Sequence, residues 1–202
     1  MKSVRSPLLM NRNDSALLVV DVQQKLLPHI ADNEEMLWNI SRLTRGANIL
    51  DVPVFVTEQY PKGLGRTAEE LSSQFDENVP VFEKLMFSAR ECDALFKQLD
   101  SKEIRNAVLV GIETHVCVLQ TAMDLMSAGY DGYVCIDAVG SRFEEDYMTA
   151  MQRMETSGAV LVSTEMTLFE WCETAESAEF KKISRLVQES FDRGDNEEQQ
   201  DE

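Results

Sequence analysis

The chain has 202 residues, of which 44% are hydrophobic and 27% are charged, as is typical of globular proteins. This length is sufficient for one α/β domain with a sizeable buried core. The net charge of −17 argues against a nucleic-acid partner, because phosphate contacts supply most of the affinity for nucleic acids. No apolar run reaches about 18 residues, so we expect no membrane-spanning helix and no membrane partner.

The two ends of the chain differ in composition from the rest. Residues 1–13 contain three basic residues and no acidic one, and we expect them to form a flexible N-terminus. They are faintly similar to a mitochondrial presequence, but the segment is short and Pro7 interrupts it. Residues 192–202 contain six acidic residues and no apolar one, which predicts a disordered acidic tail. A single domain is therefore expected at residues 14–191.

The spacing of the cysteines indicates the redox state of the cellular compartment. The four cysteines are Cys92, Cys117, Cys135 and Cys172. They show no C-x-x-C spacing and fall in predicted helices and strands, which indicates neither a zinc cluster nor a disulfide framework. Such usage suits a reducing compartment, so we expect a cytoplasmic protein, with a mitochondrial location as the alternative.

Strand and helix patterns alternate along the chain. In chain order the predicted elements are a strand at Ala16 to Val20, a helix at Leu37 to Leu50, a strand at Val54 to Thr57, a short helix at Ala68 to Gln74, an edge strand at Val79 to Phe82, a helix at Glu91 to Leu99, a strand at Ala107 to Ile112, a helix at His115 to Ala128, a strand at Tyr133 to Ile136, a helix at Glu144 to Thr156, a strand at Ala159 to Val162, a short helix at Met166 to Trp171 and a last helix over Phe180 to Val187. Asp32 and Glu35 have the spacing of a capping pair before the first helix.

This alternation predicts an α/β fold. We expect a doubly wound six-stranded parallel sheet with helices on both faces. Right-handed crossovers permit two doubly wound strand orders, and we favour the order 3-2-1-4-5-6, which places strands one and four side by side at the switch point.

Three reactive side chains follow predicted strands. Asp21 comes directly after the first strand, Lys84 just past the third, and Cys117 in the turn after the fourth. Because ligands bind at the carboxyl ends of parallel strands, we expect the three groups to converge. Unpaired N–H groups at the start of a helix favour a thiolate at Cys117, although most free cysteines are packing residues.

A thiol, a carboxylate and an ammonium group together suit nucleophilic catalysis. The thiol must lose a proton, attack a carbonyl-like carbon and return a proton to the leaving group. Asp21 can carry that proton, while Lys84 stabilises the thiolate and positions the carboxylate. The backbone from Ile112 to Cys117 is well placed to supply N–H groups to an oxyanion.

Three dispersed motifs give the chain a specific resemblance. They are Val20-Asp21-Val22-Gln23, Lys84 preceded by Val-Phe-Glu, and Gly111-Ile-Glu-Thr-His-Val-Cys117-Val. Over about residues 14–168 the chain resembles the isochorismatase-like cysteine hydrolases, and most of all the isochorismatase-domain-containing subgroup, in which residues 57–65 also have a counterpart.

The resemblance implies specific roles. It implies a catalytic triad of Asp21, Lys84 and Cys117, and a cis peptide bond between Ile112 and Glu113. It also implies an oxyanion hole formed by the amides of Glu113 and Cys117. Self-association is common in the family, so a homo-oligomer of two or more copies is expected.

Two differences from other members of the superfamily restrict the metal site and the substrates that we expect. Its nicotinamidases bind a metal through Asp-x-His and a further His, whereas this chain reads Glu58-Gln59-Tyr60 and has only His29 and His115. We therefore expect no metal and no cofactor, and nicotinamide is disfavoured as the substrate. Isochorismatases that cleave a vinyl ether commonly lack the cysteine, so its presence favours hydrolysis of a small amide-like or ester-like substrate.

The residues expected around the substrate come mostly from loops. They are Gln23, Tyr60, Leu64, Phe87 and Arg142. Phe87 either walls the pocket or fills the core, and Arg142 either binds a substrate carboxylate or starts a helix. Gly63 to Ala68 fits G-x-G-x-x-A, but it follows a proline-containing loop and is interpreted as part of a substrate-covering loop rather than a dinucleotide site.

Two further residues receive structural interpretations, and two other functions stay open. Glu58 is expected to be a loop hydrogen-bonding residue, and His115 a structural or interface residue rather than a base. One alternative function is an interaction or regulatory oligomer, because the helix at His115 to Ala128 is apolar nearly all round. The other is a ribonuclease, since some protozoan members of the subgroup carry a mitochondrial ribonuclease label, although no basic stripe or histidine pair supports it.

Overall fold

A computed structural model describes residues 5–192 of the chain. Six strands pair in parallel in the order β3-β2-β1-β4-β5-β6. The strands are β1 (Ser15–Val20), β2 (Val54–Gln59), β3 (Val81–Lys84), β4 (Asn106–Ile112), β5 (Asp131–Gly140) and β6 (Val160–Val162). The predicted fold class and strand order are confirmed, and so is the edge position of β3.

Helices cover both faces of the sheet. They are α1 (Asn33–Ile49), α2 (Pro61–Leu64), α3 (Glu69–Ser72), α4 (Asp93–Ser101), α5 (Leu119–Ser127), α6 (Glu144–Thr156), α7 (Thr164–Cys172) and α8 (Phe180–Val187). Apolar side chains of α1, α7 and α8 form one core with one face of the sheet, and those of α4, α5 and α6 form a second core with the other. Within residues 5–192, no helix is long and apolar enough to cross a membrane.

The two central strands, β1 and β4, correspond to the continuous apolar runs of the sequence. Every residue of β1 and β4 is buried, because helices cover both sides of these strands. Along β1, Leu17 and Val19 face one core while Leu18 and Val20 face the other. Asp21 and Cys117 therefore follow fully buried strands, whereas Lys84 ends β3, whose other three residues are at least partly exposed.

Three local expectations were wrong. The fifth strand does not end at Ile136, because a register shift in its pairing with β4 lets it continue and pair again through Val139 and Gly140. The helix after β4 does not start as an α-helix, because Thr114–Val118 forms a π-helical turn before α5. Asp32 adopts a left-handed conformation and its side chain caps no N–H of α1.

The amino-terminal segment packs against α7. The Arg5 guanidinium donates to the carbonyl oxygens of Met10 and Glu170, and the N–H of Met10 donates to the Glu170 carboxylate. Met10 is fully buried. The flexibility of residues 1–13 and the domain boundary at residue 14 stay predictions. Residues 1–4 and most of the expected acidic tail, residues 193–202, lie outside the described residues.

Gly111 lets β4 approach β1 closely. Its φ is +114°, and a Cβ there would lie 2.1 Å from the carbonyl oxygen of Val20. We expect Gly111→Ala to lower the free energy of unfolding by about 1–3 kcal/mol from backbone strain alone, with the backbone collision adding to this loss. Denaturant unfolding checks the value.

Gly129→Ala is the matched control, because Gly129 has a φ of +93° but nothing within 4 Å of an added Cβ. An equal loss of stability in the two variants would contradict the role given to the close approach at Gly111.

Candidate active site

Asp21 stands at the carboxyl end of β1 and is fully buried. Its two carboxylate oxygens have different partners: Oδ1 accepts from the Thr57 hydroxyl at 2.8 Å, and Oδ2 accepts from Lys84 Nζ at 2.6 Å. The backbone N–H of Asp21 donates to the carbonyl oxygen of Thr57 on β2. The orientation of the carboxylate is thus fixed by neighbouring strands.

Lys84 is the last residue of β3, and its side chain is also fully buried. In addition to Asp21, its ammonium group donates to Gln59 Oε1 at 2.8 Å and to the carbonyl oxygen of Phe87 at 2.8 Å, with the carbonyl oxygen of Met86 at 3.3 Å. An ammonium group has three hydrogens, so these oxygens can use all of its donors. The buried charge is therefore balanced by one carboxylate and solvated by neutral oxygens.

Cys117 lies in the π-helical turn and is 5% exposed. Burial raises the pKa of its thiol well above the ordinary value, and the charge of Asp21 raises it further, while Lys84 lowers it. The charges of Asp21 and Lys84 both act on the thiol, so the three sequence-predicted groups are brought together. Removal of the sulfur from water is the largest influence on the pKa, and it opposes the thiolate that the start of a helix was expected to favour.

The raised pKa of the Cys117 thiol gives a prediction for the pH dependence of its alkylation. Because the pKa of Cys117 lies above the ordinary range, its alkylation by iodoacetamide should accelerate about tenfold per pH unit between about pH 7 and 9, without a plateau. Peptide mass spectrometry of quenched samples gives the rate at this residue. A plateau below about pH 8.5 would mean that the thiol ionises like a free cysteine.

The turn that carries Cys117 begins at Glu113. The peptide bond between Ile112 and Glu113, where the resemblance implies a cis bond, is cis in the structure. The Glu113 carboxylate accepts from Arg142 Nε at 2.9 Å and from the backbone N–H of Arg142 at 3.3 Å. The start of the turn is therefore tied to the loop after β5.

His115 contacts that same region. Its Nδ1 lies 3.0 Å from the Ser141 hydroxyl, and its Nε2 lies 3.6 Å from the Asp146 carboxylate in α6. These contacts connect the turn to the loop after β5 and to α6, which agrees with the structural interpretation of His115.

The expected pocket residues fall into two groups. Tyr60 is 50% exposed, Phe87 is 52% exposed and the Arg142 side chain is 51% exposed, while Leu64 is half-buried. The alternative that placed Phe87 in the core was therefore wrong. Gln23 differs, because it is fully buried: its amide donates to the carbonyl oxygens of Gln59 and Gly65 and accepts from the N–H of Gln59. These bonds join Gln23 to the end of β2, at Gln59, and to the loop after it, at Gly65.

Glu58 has the loop role that its sequence position predicts. Its Oε1 accepts from the N–H and the hydroxyl of Thr67, and its Oε2 pairs with Arg66 at 2.8 Å. Within residues 5–192, no group of three or more His, Cys, Asp or Glu side chains is arranged to hold a metal ion.

Sequence reasoning missed Thr57 and Gln59. Both lie in β2 and contact the cluster, Thr57 through Asp21 and Gln59 through Lys84. Thr57 was predicted to end a strand beside β1, so its position next to Asp21 could have been inferred. Gln59 was placed in a loop, because the predicted strand stopped at Thr57 whereas β2 extends to Gln59 and puts both residues on the same side.

A cavity of about 490 Å³ lies between α1, the carboxyl end of β5 and α6. Its lining includes Asn39, Asp137, Ser141, Phe143 and Tyr147. None of Asp21, Lys84 and Cys117 borders it, so this cavity is separate from the cluster.

Comparisons with known proteins extend over most of the chain. A model of the isochorismatase domain matches residues 15–166. Isochorismatase family protein 1A of Dictyostelium discoideum is 38% identical over 193 residues, which cover 94% of this chain and 92% of the relative. The structure of MAR1 ribonuclease from Caenorhabditis elegans has a TM-score of 0.84 at 39% identity, covering 92% of this chain and 96% of its own. The YcaC gene product of Escherichia coli, an octameric hydrolase of unknown specificity, has a TM-score of 0.81 at 24% identity and covers 91% of this chain and 92% of its own, which shows a shared fold alone.

Proposed function

Since the chain belongs to the isochorismatase-like hydrolase family, we propose that it is a cysteine hydrolase acting on a small amide-like or ester-like substrate. Cys117 is the nucleophile, and Asp21 and Lys84 complete the triad. The observation that carries the proposal is the fully buried ion pair of Asp21 and Lys84, at 2.6 Å, whose two charges act on the buried Cys117 thiol.

The raised pKa of the Cys117 thiol favours loss of its proton during the attack itself. As Sγ of Cys117 attacks the carbonyl carbon, the thiol proton passes to Asp21, and the carbonyl oxygen becomes an oxyanion. Asp21 then returns this proton to the leaving amine or alcohol, and a thioester remains. Asp21 next takes a proton from water, the water oxygen attacks the thioester, and the proton returns to Cys117 as the acid leaves.

Lys84 has an electrostatic role in these steps. Its ammonium group stays next to the carboxylate and the sulfur, so it offsets the negative charge whether that charge rests on Asp21 or on Cys117. No metal or cofactor is part of the proposal. Support comes from Glu58 and Gln59, whose side chains occupy the region of the nicotinamidase metal motif and are already bonded to protein groups.

The oxyanion is proposed to bind the backbone amides of Glu113 and Cys117, each of which would be worth about 10²–10³ in rate. The bonds from Arg142 to the Glu113 carboxylate support this assignment, because they restrain the residue whose amide must point at the oxyanion. Tyr60, Leu64 and Phe87 are proposed to contact the apolar part of the substrate. The remaining guanidinium nitrogens of Arg142 are proposed to bind a substrate carboxylate.

A hydrolysis screen tests the proposal. Purified wild-type protein and Cys117→Ala are compared on a panel of small amides and esters, with Cys172→Ala as the control because Cys172 is also buried and free. We expect turnover to fall at least about 10³-fold in Cys117→Ala and to be unchanged in Cys172→Ala. Full turnover by Cys117→Ala on a substrate of the wild-type protein would overturn the proposal.

A ribonuclease is the second candidate, because the similarity to MAR1 ribonuclease extends over 92% of this chain at 39% identity. The same preparations are incubated with single-stranded RNA. Cleavage by the wild-type protein that Cys117→Ala loses would support this candidate, and cleavage that every variant retains would assign the activity to a contaminant.

A homo-oligomer is also part of the proposal, but the surface expected for it changes. None of the large apolar side chains of α5 is exposed, because the helix is packed into the second core. Exposed apolar side chains occur instead at Leu85, Met86 and Phe87, directly after Lys84. Sedimentation at micromolar concentration tests self-association. A cytoplasmic location is retained as a proposal because all four cysteines are free thiols.

A further inference from the structure

Gln59 joins the elements that surround the proposed triad. It is the last residue of β2 and lies opposite Lys84 in the β2–β3 register. Its backbone N–H and carbonyl group both bond to the buried Gln23 amide, so the residue cannot shift along the strand. The backbone holds Gln59 at the point where β2 and β3 end.

The side chain of Gln59 uses both of its polar ends. Its Oε1 accepts from Lys84 Nζ at 2.8 Å, and its Nε2 donates to the carbonyl oxygen of Leu85 at 2.7 Å. Lys84 therefore donates to two side chains: the Asp21 carboxylate, which is charged, and the Gln59 amide oxygen, which is neutral.

The absence of charge on Gln59 matters because Lys84 already has one carboxylate partner. Asp21 is paired with the ammonium group, whose charge also acts on Glu91, Cys92 and Cys117. The Glu91 carboxylate is bonded to the N–H groups of Leu85 and Met86. Within residues 5–192, Asp21 is the sole carboxylate within salt-bridge distance of Lys84.

We propose that Gln59 is a positioning residue: its neutral oxygen holds the Lys84 ammonium group in place and leaves Asp21 as the one carboxylate that acts on the Cys117 thiol. This inference rests on the proposed function, because it assigns Gln59 a role through the triad. A carboxylate at this position would keep an oxygen near the ammonium group but add a negative charge beside the sulfur. That charge would oppose ionisation of the thiol.

Gln59→Glu and Gln59→Met separate this role from a purely structural one. Both variants lose the bond to the Leu85 carbonyl oxygen. Gln59→Met also loses the oxygen that accepts from Lys84, and Gln59→Glu alone adds a negative charge. Gln152→Glu adds the same charge on an exposed position of α6 and serves as the control. Circular dichroism first shows that each variant is folded, and the rate of Cys117 alkylation by iodoacetamide is then measured at pH 8 by peptide mass spectrometry.

We expect Gln59→Glu to react about tenfold more slowly than the wild-type protein, which corresponds to about one pH unit. Gln152→Glu should stay within about threefold of the wild-type rate. Gln59→Met removes the oxygen from Lys84 without adding a charge, so it should react more slowly than the wild-type protein but faster than Gln59→Glu. Equal slowing in Gln59→Glu and Gln59→Met would show that the neutrality of the Gln59 oxygen has no role and would overturn the inference. So would a Gln59→Glu rate within threefold of wild type.

Asp21→Asn, measured in parallel, distinguishes failure of the inference from failure of the proposed function. If Asp21→Asn changes the Cys117 rate and Gln59→Glu does not, the role of Gln59 alone is wrong. If neither variant changes the rate, the coupling between Asp21 and Cys117 that the proposed function requires is absent.

Discussion

Replacing Lys84 with methionine is expected to lower the free energy of unfolding by about 3–5 kcal/mol. The side chains of Lys84 and Asp21 are both fully buried and form an ion pair at 2.6 Å. Methionine fills most of the volume of lysine but leaves the Asp21 carboxylate in the interior without a cation. The loss is measured by urea unfolding at neutral pH.

Two controls identify the cause of that loss. Lys97→Met removes an exposed lysine from α4 and should change the stability by less than about 0.5 kcal/mol. The double variant Asp21→Asn with Lys84→Met removes both charges and should recover part of the stability lost by Lys84→Met alone. A Lys84→Met protein as stable as Lys97→Met would contradict the buried ion pair.

Replacing Asp21 with asparagine is expected to change catalysis and thiol reactivity in opposite directions. Turnover should fall about 10²–10⁴-fold, because asparagine cannot carry the thiol proton. Alkylation of Cys117 should become faster, because the charge of Asp21 raises the pKa of the thiol and the remaining charge of Lys84 lowers it. The two rates are measured on one preparation, at the same pH.

Slower turnover together with faster alkylation of Cys117 alone cannot be explained by unfolding of the variant. An unfolded Asp21→Asn protein would expose all four cysteines, which are buried in the wild-type protein, and their alkylation would then accelerate together. Faster reaction confined to Cys117, with turnover lost, supports Asp21 as the proton carrier. Unchanged turnover would assign that role to another group.

The sequence allowed much of this arrangement to be predicted, because a parallel sheet brings the carboxyl ends of its strands to one edge. Asp21 and Lys84 end two strands and Cys117 follows a third, so their meeting follows from strand order alone. Thr57 and Gln59 are also on this edge, but their roles depend on side-chain bonds that a strand pattern does not specify.

Features that depend on burial were harder to predict. The raised pKa of the Cys117 thiol reflects how completely the fold removes the sulfur from water, which hydrophobic patterning does not measure. Phe87 looks like a core residue by type, yet the loop after β3 leaves it half exposed. For α5 the error was the opposite one. Its apolar residues on several sides were expected to leave a surface for a partner, but they pack against β5, α6 and the segment before α4.

The most direct test of the nucleophile is to trap the acyl group that it receives. Wild-type protein is mixed briefly with p-nitrophenyl acetate, quenched in acid and mapped by peptide mass spectrometry, with Cys117→Ala in parallel. We expect one acetyl group on Cys117 that disappears over time as the thioester is hydrolysed, and no such transient group in Cys117→Ala. A transient acetyl group on another cysteine or on Ser141, retained in Cys117→Ala, would contradict it.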